Sequence, residues 1–204
     1  MFLTRRSLLV ASAASAALPL AAPGIARADD ADRMTERALG DPKAKVRVEE
    51  WFSLTCTHCA HFADTTFPDV RTKLIDTGKV LYVFRDFPLD QVALVAAQVA
   101  RALPPERYEP FVMALFASQD RWAFARGVNS TQELWKMAAL AGMGRDTFDS
   151  AINDQALRAF ILKGQEEASQ KWKVDSTPTF VVNGKTEAGA LDFDAFAKLV
   201  ANAV

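Results

Sequence analysis

The amino-acid sequence predicts an α/β fold interrupted by an inserted α-helical domain, and three observations carry that expectation. Near the start, a β-rich run at 45–52, a segment with helical apolar spacing and a second β-rich run at 79–84 follow one another. From 91 to 173 the spacing is helical, with no further β-rich run. At the end, Thr179-Phe180-Val181-Val182, an Asn183-Gly184 turn and an amphipathic stretch from Asp192 to Val204 restore the alternation of β and α. Neither flank holds a full sheet, so 29–90 and 174–204 are expected to fold together as one domain, with 91–173 inserted as a helical domain.

Residues 1–28 stand apart from that plan. Arg5 and Arg6 precede an uncharged run from Ser7 to Ala26, and Ala26-Arg27-Ala28 offers small residues for cleavage, which is the pattern of a signal peptide. A membrane span needs about 20 strongly apolar residues, whereas this stretch is mostly Ala and Ser and contains Pro19 and Pro23. Thr4-Arg5-Arg6-Ser7 also fits a twin-arginine signal, so the export route stays open. Losing Arg5, Arg6 and Arg27 with no acid takes the net charge from −1 to −4. That balance leaves no basic surplus for nucleic acid or an anionic membrane surface, and a soluble, periplasmic protein is expected.

The elements then follow in order. Lys45-Val46-Arg47-Val48-Glu49-Glu50-Trp51-Phe52 reads as a strand. From Cys56 to about Asp76, Phe62, Phe67, Val70 and Leu74 recur at roughly helical spacing, and Pro68 should bend that helix. Lys79 to Phe84 is a second strand; strand, helix, strand implies a right-handed crossover and a parallel pair. Gln91 to Leu103 is dominated by Ala, Val and Leu, with Arg101 its one charge, and should be buried on most sides before Pro104-Pro105 stops it. Further helices are expected at about 108–118, 131–142, 146–153 and 155–171, with Gly142 and Gly144 breaking the run.

The chemistry concentrates in Cys56-Thr57-His58-Cys59. The chain has two cysteines, and a disulfide closing so short a loop removes little entropy from the unfolded state, so a redox role fits better than a staple. Three residues along a helix put both sulfurs on one face. A cysteine at a helix N-terminus meets unsatisfied N–H groups and the positive end of the dipole, which lowers a thiol pKa from about 8.5 to roughly 3.5–7.5. Cys56 is therefore the expected nucleophile and Cys59 the resolving thiol. His58 is placed to donate a hydrogen bond or a charge to the Cys56 thiolate, while His61 lies roughly 140° around the helix, at about 100° per residue. A zinc site would need a second ligand pair from elsewhere, and the chain's two histidines are His58 and His61. A two-coordinate Cu(I) site on the two thiolates is the remaining metal alternative.

The order of Gly40-Asp41-Pro42, Glu50-Trp51-Phe52-Ser53, the Cys pair, Phe84-Arg85-Asp86-Phe87-Pro88-Leu89 and Ser176-Thr177-Pro178-Thr179-Phe180-Val181-Val182-Asn183-Gly184 resembles the DsbA-like branch of the thioredoxin superfamily. The resemblance spans the mature chain and implies a thioredoxin fold with an inserted α-helical domain. It implies that Pro178 is a cis-proline beside the cysteines and that Thr177 presents its backbone to an incoming polypeptide. It implies too that Glu50 is the buried acid handling the proton of Cys59, although a one-residue slip would put Glu49 there. The implied activity is a dithiol oxidase whose only redox group is the Cys56–Cys59 disulfide, with no separate cofactor. Unfolded exported polypeptides with cysteines would be its substrates, and a DsbB-like, quinone-linked membrane protein would reoxidise it. Thr57 departs from the proline common at that position, and Thr177 is shared with isomerases and reductases, so a reductase or isomerase is the alternative. Isomerases of this superfamily dimerise through an N-terminal domain for which the residues before Gly40 leave no room, and a monomer is expected.

Overall fold

A computed structural model describes residues 30–203; the expected signal peptide, 1–28, lies outside the described residues. The elements run α1 (Asp30–Arg33), β1 (Arg37–Leu39), β2 (Val46–Phe52), α2 (Thr57–Thr65), α3 (Phe67–Val70), a π-helical stretch (Arg71–Ile75) and β3 (Val80–Asp86). The insertion supplies α4 (Gln91–Arg101), α5 (Pro105–Ala117), α6 (Gln119–Trp122), α7 (Ser130–Leu140), α8 (Arg145–Ile152) and α9 (Gln155–Trp172). The chain closes with β4 (Thr179–Val182), β5 (Lys185–Ala188) and α10 (Phe193–Ala201). Among the described residues no helix is long and apolar enough to cross a membrane.

The five strands form one sheet in the order β1-β3-β2-β4-β5. The expected parallel pair is β2 with β3, in register from Val46↔Val80 to Phe52↔Asp86. β4 joins the other edge of β2 antiparallel, so the two sequence flanks share one sheet. Asn183 and Gly184 both take positive φ (43° and 87°), the backbone that an Asn-Gly hairpin turn needs between β4 and β5.

Alternation along β2 sends Val46, Val48, Glu50 and Phe52 to one face, where the main core lies. There Phe62 of α2 packs on Phe180 and Phe196, with ring centroids 4.8 and 5.9 Å away. Trp51 turns to the opposite face and packs with Ala168, Val174 and Val181.

Two expectations about prolines are corrected. The helix foreseen from Cys56 to Asp76 is not bent at Pro68; it breaks two residues earlier at Thr66, whose hydroxyl donates to the Leu191 carbonyl at 2.9 Å. Pro68 then lies in the first turn of α3, where its missing N–H has no helical partner to lose. Similarly, α4 ends at Arg101 and Pro105 opens α5. β1 and α6 were not foreseen; at three and four residues they carry no periodicity to read.

Arg101, the lone charge of an apolar helix, is 3% exposed. Its guanidinium pairs with Asp86 at the end of β3 and donates to the carbonyls of Arg33 (3.1 Å) and Thr35 (3.0 Å). Arg37 of β1 in turn donates to the Arg101 carbonyl at 3.1 Å. This buried knot ties the first insertion helix to the sheet and to the N-terminal segment.

Candidate active site

β2 delivers the chain to the turn Ser53-Leu54-Thr55, and Cys56 caps α2 with extended backbone (φ −84°, ψ 119°). Its Sγ accepts the Cys59 N–H at 3.4 Å, so a sulfur does the work that a hydroxyl or carboxylate oxygen does at most helix starts. One turn on, Cys59 points into the core alongside Phe62 and is fully buried, while Cys56 is 8% exposed. Both thiols are free.

Antiparallel pairing sets Thr179 opposite Trp51, which brings the start of β4 alongside the end of β2. Thr177 and Pro178 thereby arrive at the Cys pair, joined by a cis bond as the resemblance implies. The Cys56 thiol donates to the Thr177 carbonyl at 3.2 Å.

The two sulfurs are driven apart in acidity. The Cys59 thiol beside it, then the Thr177 side chain and the N–H groups of Cys59 and His58, outweigh burial and lower Cys56 to about 5. Cys59 is pushed far up, first by burial and then by its hydrogen bond with Cys56 and by the nearby Glu50. Glu50 is raised to about 7, chiefly because it is wholly buried, with the Tyr82 hydroxyl donating to its Oε2 at 2.7 Å in opposition. The same burial and carboxylate push Tyr82 up. One thiol is thus poised to ionise, its partner to hold a proton, and a carboxyl group that changes charge near neutrality lies close by.

Each residue singled out in the sequence has a place in this geometry. Glu50, not Glu49, is the buried acid; Glu49 lies on the other face of β2, paired with Arg47 at 2.9 Å and Arg85 at 3.3 Å. Thr57 and His58 are exposed. The backbone N–H of His58 is one of the groups that favour the Cys56 thiolate. His61 is exposed on the helix surface.

Three neighbours were missed. Tyr82 holds Glu50. Asp90, at the head of the insertion, caps α4 through the Ala93 N–H at 2.8 Å and accepts the Thr55 hydroxyl at 2.6 Å. Gln119, 6% exposed, donates from one amide nitrogen to the carbonyls of Leu54 (2.8 Å) and Cys56 (3.0 Å). An aspartate before an apolar helix is a readable cap signal; a glutamine 60 residues from the cysteines carries none.

Comparison with known proteins places relatives beside this geometry. The family described as Thioredoxin matches residues 32–202. A protein of Rickettsia felis named as a protein-disulfide oxidoreductase is 31% identical over 87% of this chain, and one of Rickettsia prowazekii is 32% identical over 77%. The chain spans 62% and 58% of the lengths of these two relatives. The crystal structure of α-DsbA1 from Wolbachia pipientis is 33% identical, with a TM-score of 0.76, covering 82% of this chain and 90% of that one. A protein-disulfide isomerase from Novosphingobium aromaticivorans is 25% identical, with a TM-score of 0.70, covering 82% and 97%.

Proposed function

This chain belongs to the DsbA-like branch of the thioredoxin superfamily, and from that premise we propose that it is a periplasmic thiol:disulfide oxidoreductase that gives its Cys56–Cys59 disulfide to exported polypeptides. The observation that carries the reading is the split acidity of the pair: Cys56 near 5 and Cys59 far above its ordinary value. A good leaving thiolate has a low pKa, so the pair releases a substrate sulfur from Cys56 readily and is hard to keep as a disulfide.

The exchange proceeds in two displacements. A substrate thiolate attacks Sγ of Cys56, a substrate–Cys56 disulfide forms, and the Cys56–Cys59 bond breaks with its electron pair on Cys59. Cys59 cannot stay ionised in its buried position and takes a proton, for which the carboxyl group of Glu50, close enough to act on Cys59 electrostatically and titrating at about 7, is a suitable donor. A second substrate thiolate then attacks the substrate sulfur of the mixed disulfide and expels Cys56 as a thiolate. The substrate has lost two electrons to the Cys pair; of its two thiol protons, one is balanced at Cys59 and one goes to solvent. The backbone at Thr177 and Pro178 lines the approach to Cys56, which suits an extended polypeptide as an added strand. Reoxidation requires an external acceptor, and a quinone-linked membrane protein of DsbB type supplies the right chemistry.

The test is to mix the disulfide form with a reduced, unfolded protein whose activity needs disulfides, and to follow both the regain of that activity and the thiols appearing on this chain. The reduction potential then separates the alternatives. A value near that of thioredoxin, about −270 mV, would replace the oxidase by a reductase.

A further inference from the structure

We propose that Gln119, contributed by the helical insertion, is a positioning residue for the Cys56 thiolate. The proposal rests on Cys56 being the attacking thiol, and it explains what the insertion does for the reaction.

Cys56 can cap α2 with its own sulfur only while its backbone stays extended; its ψ of 119° decides where the N–H groups of His58 and Cys59 lie relative to Sγ. Rotation about ψ moves the Cys56 carbonyl, so a group that holds that carbonyl holds ψ. Two donors do so: Ala60 N–H of the helix at 3.1 Å and Gln119 Nε2 at 3.0 Å. The same nitrogen holds the Leu54 carbonyl at 2.8 Å, fixing the turn from its other end. One amide thus clasps the carbonyls of the two residues that flank Thr55, and Asp90 takes the Thr55 hydroxyl between them.

Gln119 can act as a clasp because its own backbone is pinned. Its carbonyl accepts the N–H groups of Ala123 and Phe124 at 3.0 and 3.1 Å, and Trp122 in the same turn is buried with its indole N–H on the Leu115 carbonyl at 2.8 Å. Without this clasp the Cys56 carbonyl keeps one donor, the Ala60 N–H, and the Leu54 carbonyl loses the amide that held it, so the buried turn relaxes toward other donors by turning ψ. The cap then loosens and the sulfur loses N–H groups that favour its charge.

Gln98 supplies an internal control. It makes the same clasp elsewhere in the insertion, donating from Nε2 to the carbonyls of Ala151 (3.0 Å) and Asp154 (2.9 Å). Gln98→Met therefore removes the same kind of contact from the same domain without touching the active-site turn.

The experiment titrates Cys56 by thiolate ultraviolet absorbance in the full-length dithiol protein, where Cys59 does not ionise in the range used. Gln119→Met should raise the midpoint by roughly half a unit to one unit, the scale of one neutral hydrogen bond, while Gln98→Met leaves it at the wild-type value. Gln119→Asn, one methylene shorter, reaches one carbonyl at most and should also raise the midpoint; it carries the test if the methionine variant does not fold. A wild-type midpoint in both Gln119 variants, or an equal rise in Gln98→Met, overturns the positioning role. A wild-type protein that titrates at the ordinary thiol value of about 8.5 overturns the functional reading itself, and this inference with it.

Discussion

Replacing Cys56 by Ser in the dithiol protein should remove a pH-dependent part of the fold's stability, and the structure sets its size. Cys56 titrates at about 5 in the fold, against about 8.5 in an unfolded chain. A depressed folded-state pKa contributes stability that is complete above the unfolded value and disappears as pH falls through the folded one, so the window is roughly pH 5 to 8.5. Within it the contribution grows by about 1.4 kcal/mol per pH unit and reaches about 2.7 kcal/mol at pH 7. Cys56 lies near the surface and water screens its field, so we discount this to about 1–2 kcal/mol. Glu50 works in the opposite direction: raised to about 7 by burial, it stabilises the fold fully below about pH 4.3 and loses that contribution as pH rises through 7. Both proteins carry Glu50, and the Cys56 charge is the smallest cause of its shift, so it largely cancels in the difference. The assay is urea unfolding of reduced wild type and Cys56→Ser at pH 4, 5.5, 7 and 8.5. The two should coincide in their pH dependence at the acid end and diverge upward in favour of wild type. A flat difference across the series would refute the argument that the fold stabilises a Cys56 thiolate.

Glu50→Gln keeps an acceptor for Tyr82 while removing the buried charge; it should stabilise the protein by about 2–4 kcal/mol at pH 8.5 and hardly at all at pH 4, and an equal gain at both pH values would contradict the assigned shift. The same variant should slow the step in which Cys59 takes or gives up its proton, seen as slower release of a mixed disulfide in stopped-flow. Breaking the buried Asp86–Arg101 pair with Arg101→Met should cost about 3–5 kcal/mol, whereas Asp86→Leu with Arg101→Met together should cost much less; chemical denaturation of both variants decides, and similar losses would mean the pair is not the source. In the reduced protein, iodoacetamide at pH 6 should modify Cys56 well before Cys59, and mass mapping that finds Cys59 labelled first would reverse their roles.

Much of the architecture was legible because it rests on local patterns. The alternation along 45–52, the Asn183-Gly184 turn and the Ala-rich helix at 91–101 each declare themselves within a few residues, and the Cys pair sits at the strand-to-helix step where its chemistry is intelligible. What local pattern could not supply is partnership. Whether Glu49 or Glu50 faced inward depended on a one-residue register that the pairing with β3 and β4 sets. Pro68 interrupts its helix only if that helix is continuous, whereas the break falls at Thr66, which bonds Leu191, 125 residues away. Gln119 was invisible for the same reason: its meaning lies wholly in two carbonyls more than 60 residues upstream.

The strand order has a consequence for the way the chain is made. A ribosome delivers β2, α2 and β3 first, then the whole insertion, and only near the end the residues of β4. Until 179–182 have emerged, the central strand β2 has one edge unpaired, and Cys56 has no Thr177 carbonyl to meet. The insertion can already grip the turn through Asp90 and Gln119, but the opposite wall of the site is the last part to arrive. A chain cut short before β4 would therefore present two cysteines on a half-built sheet with an open edge, prone to pair with other strands and unable to complete the setting that divides the acidity of its two sulfurs.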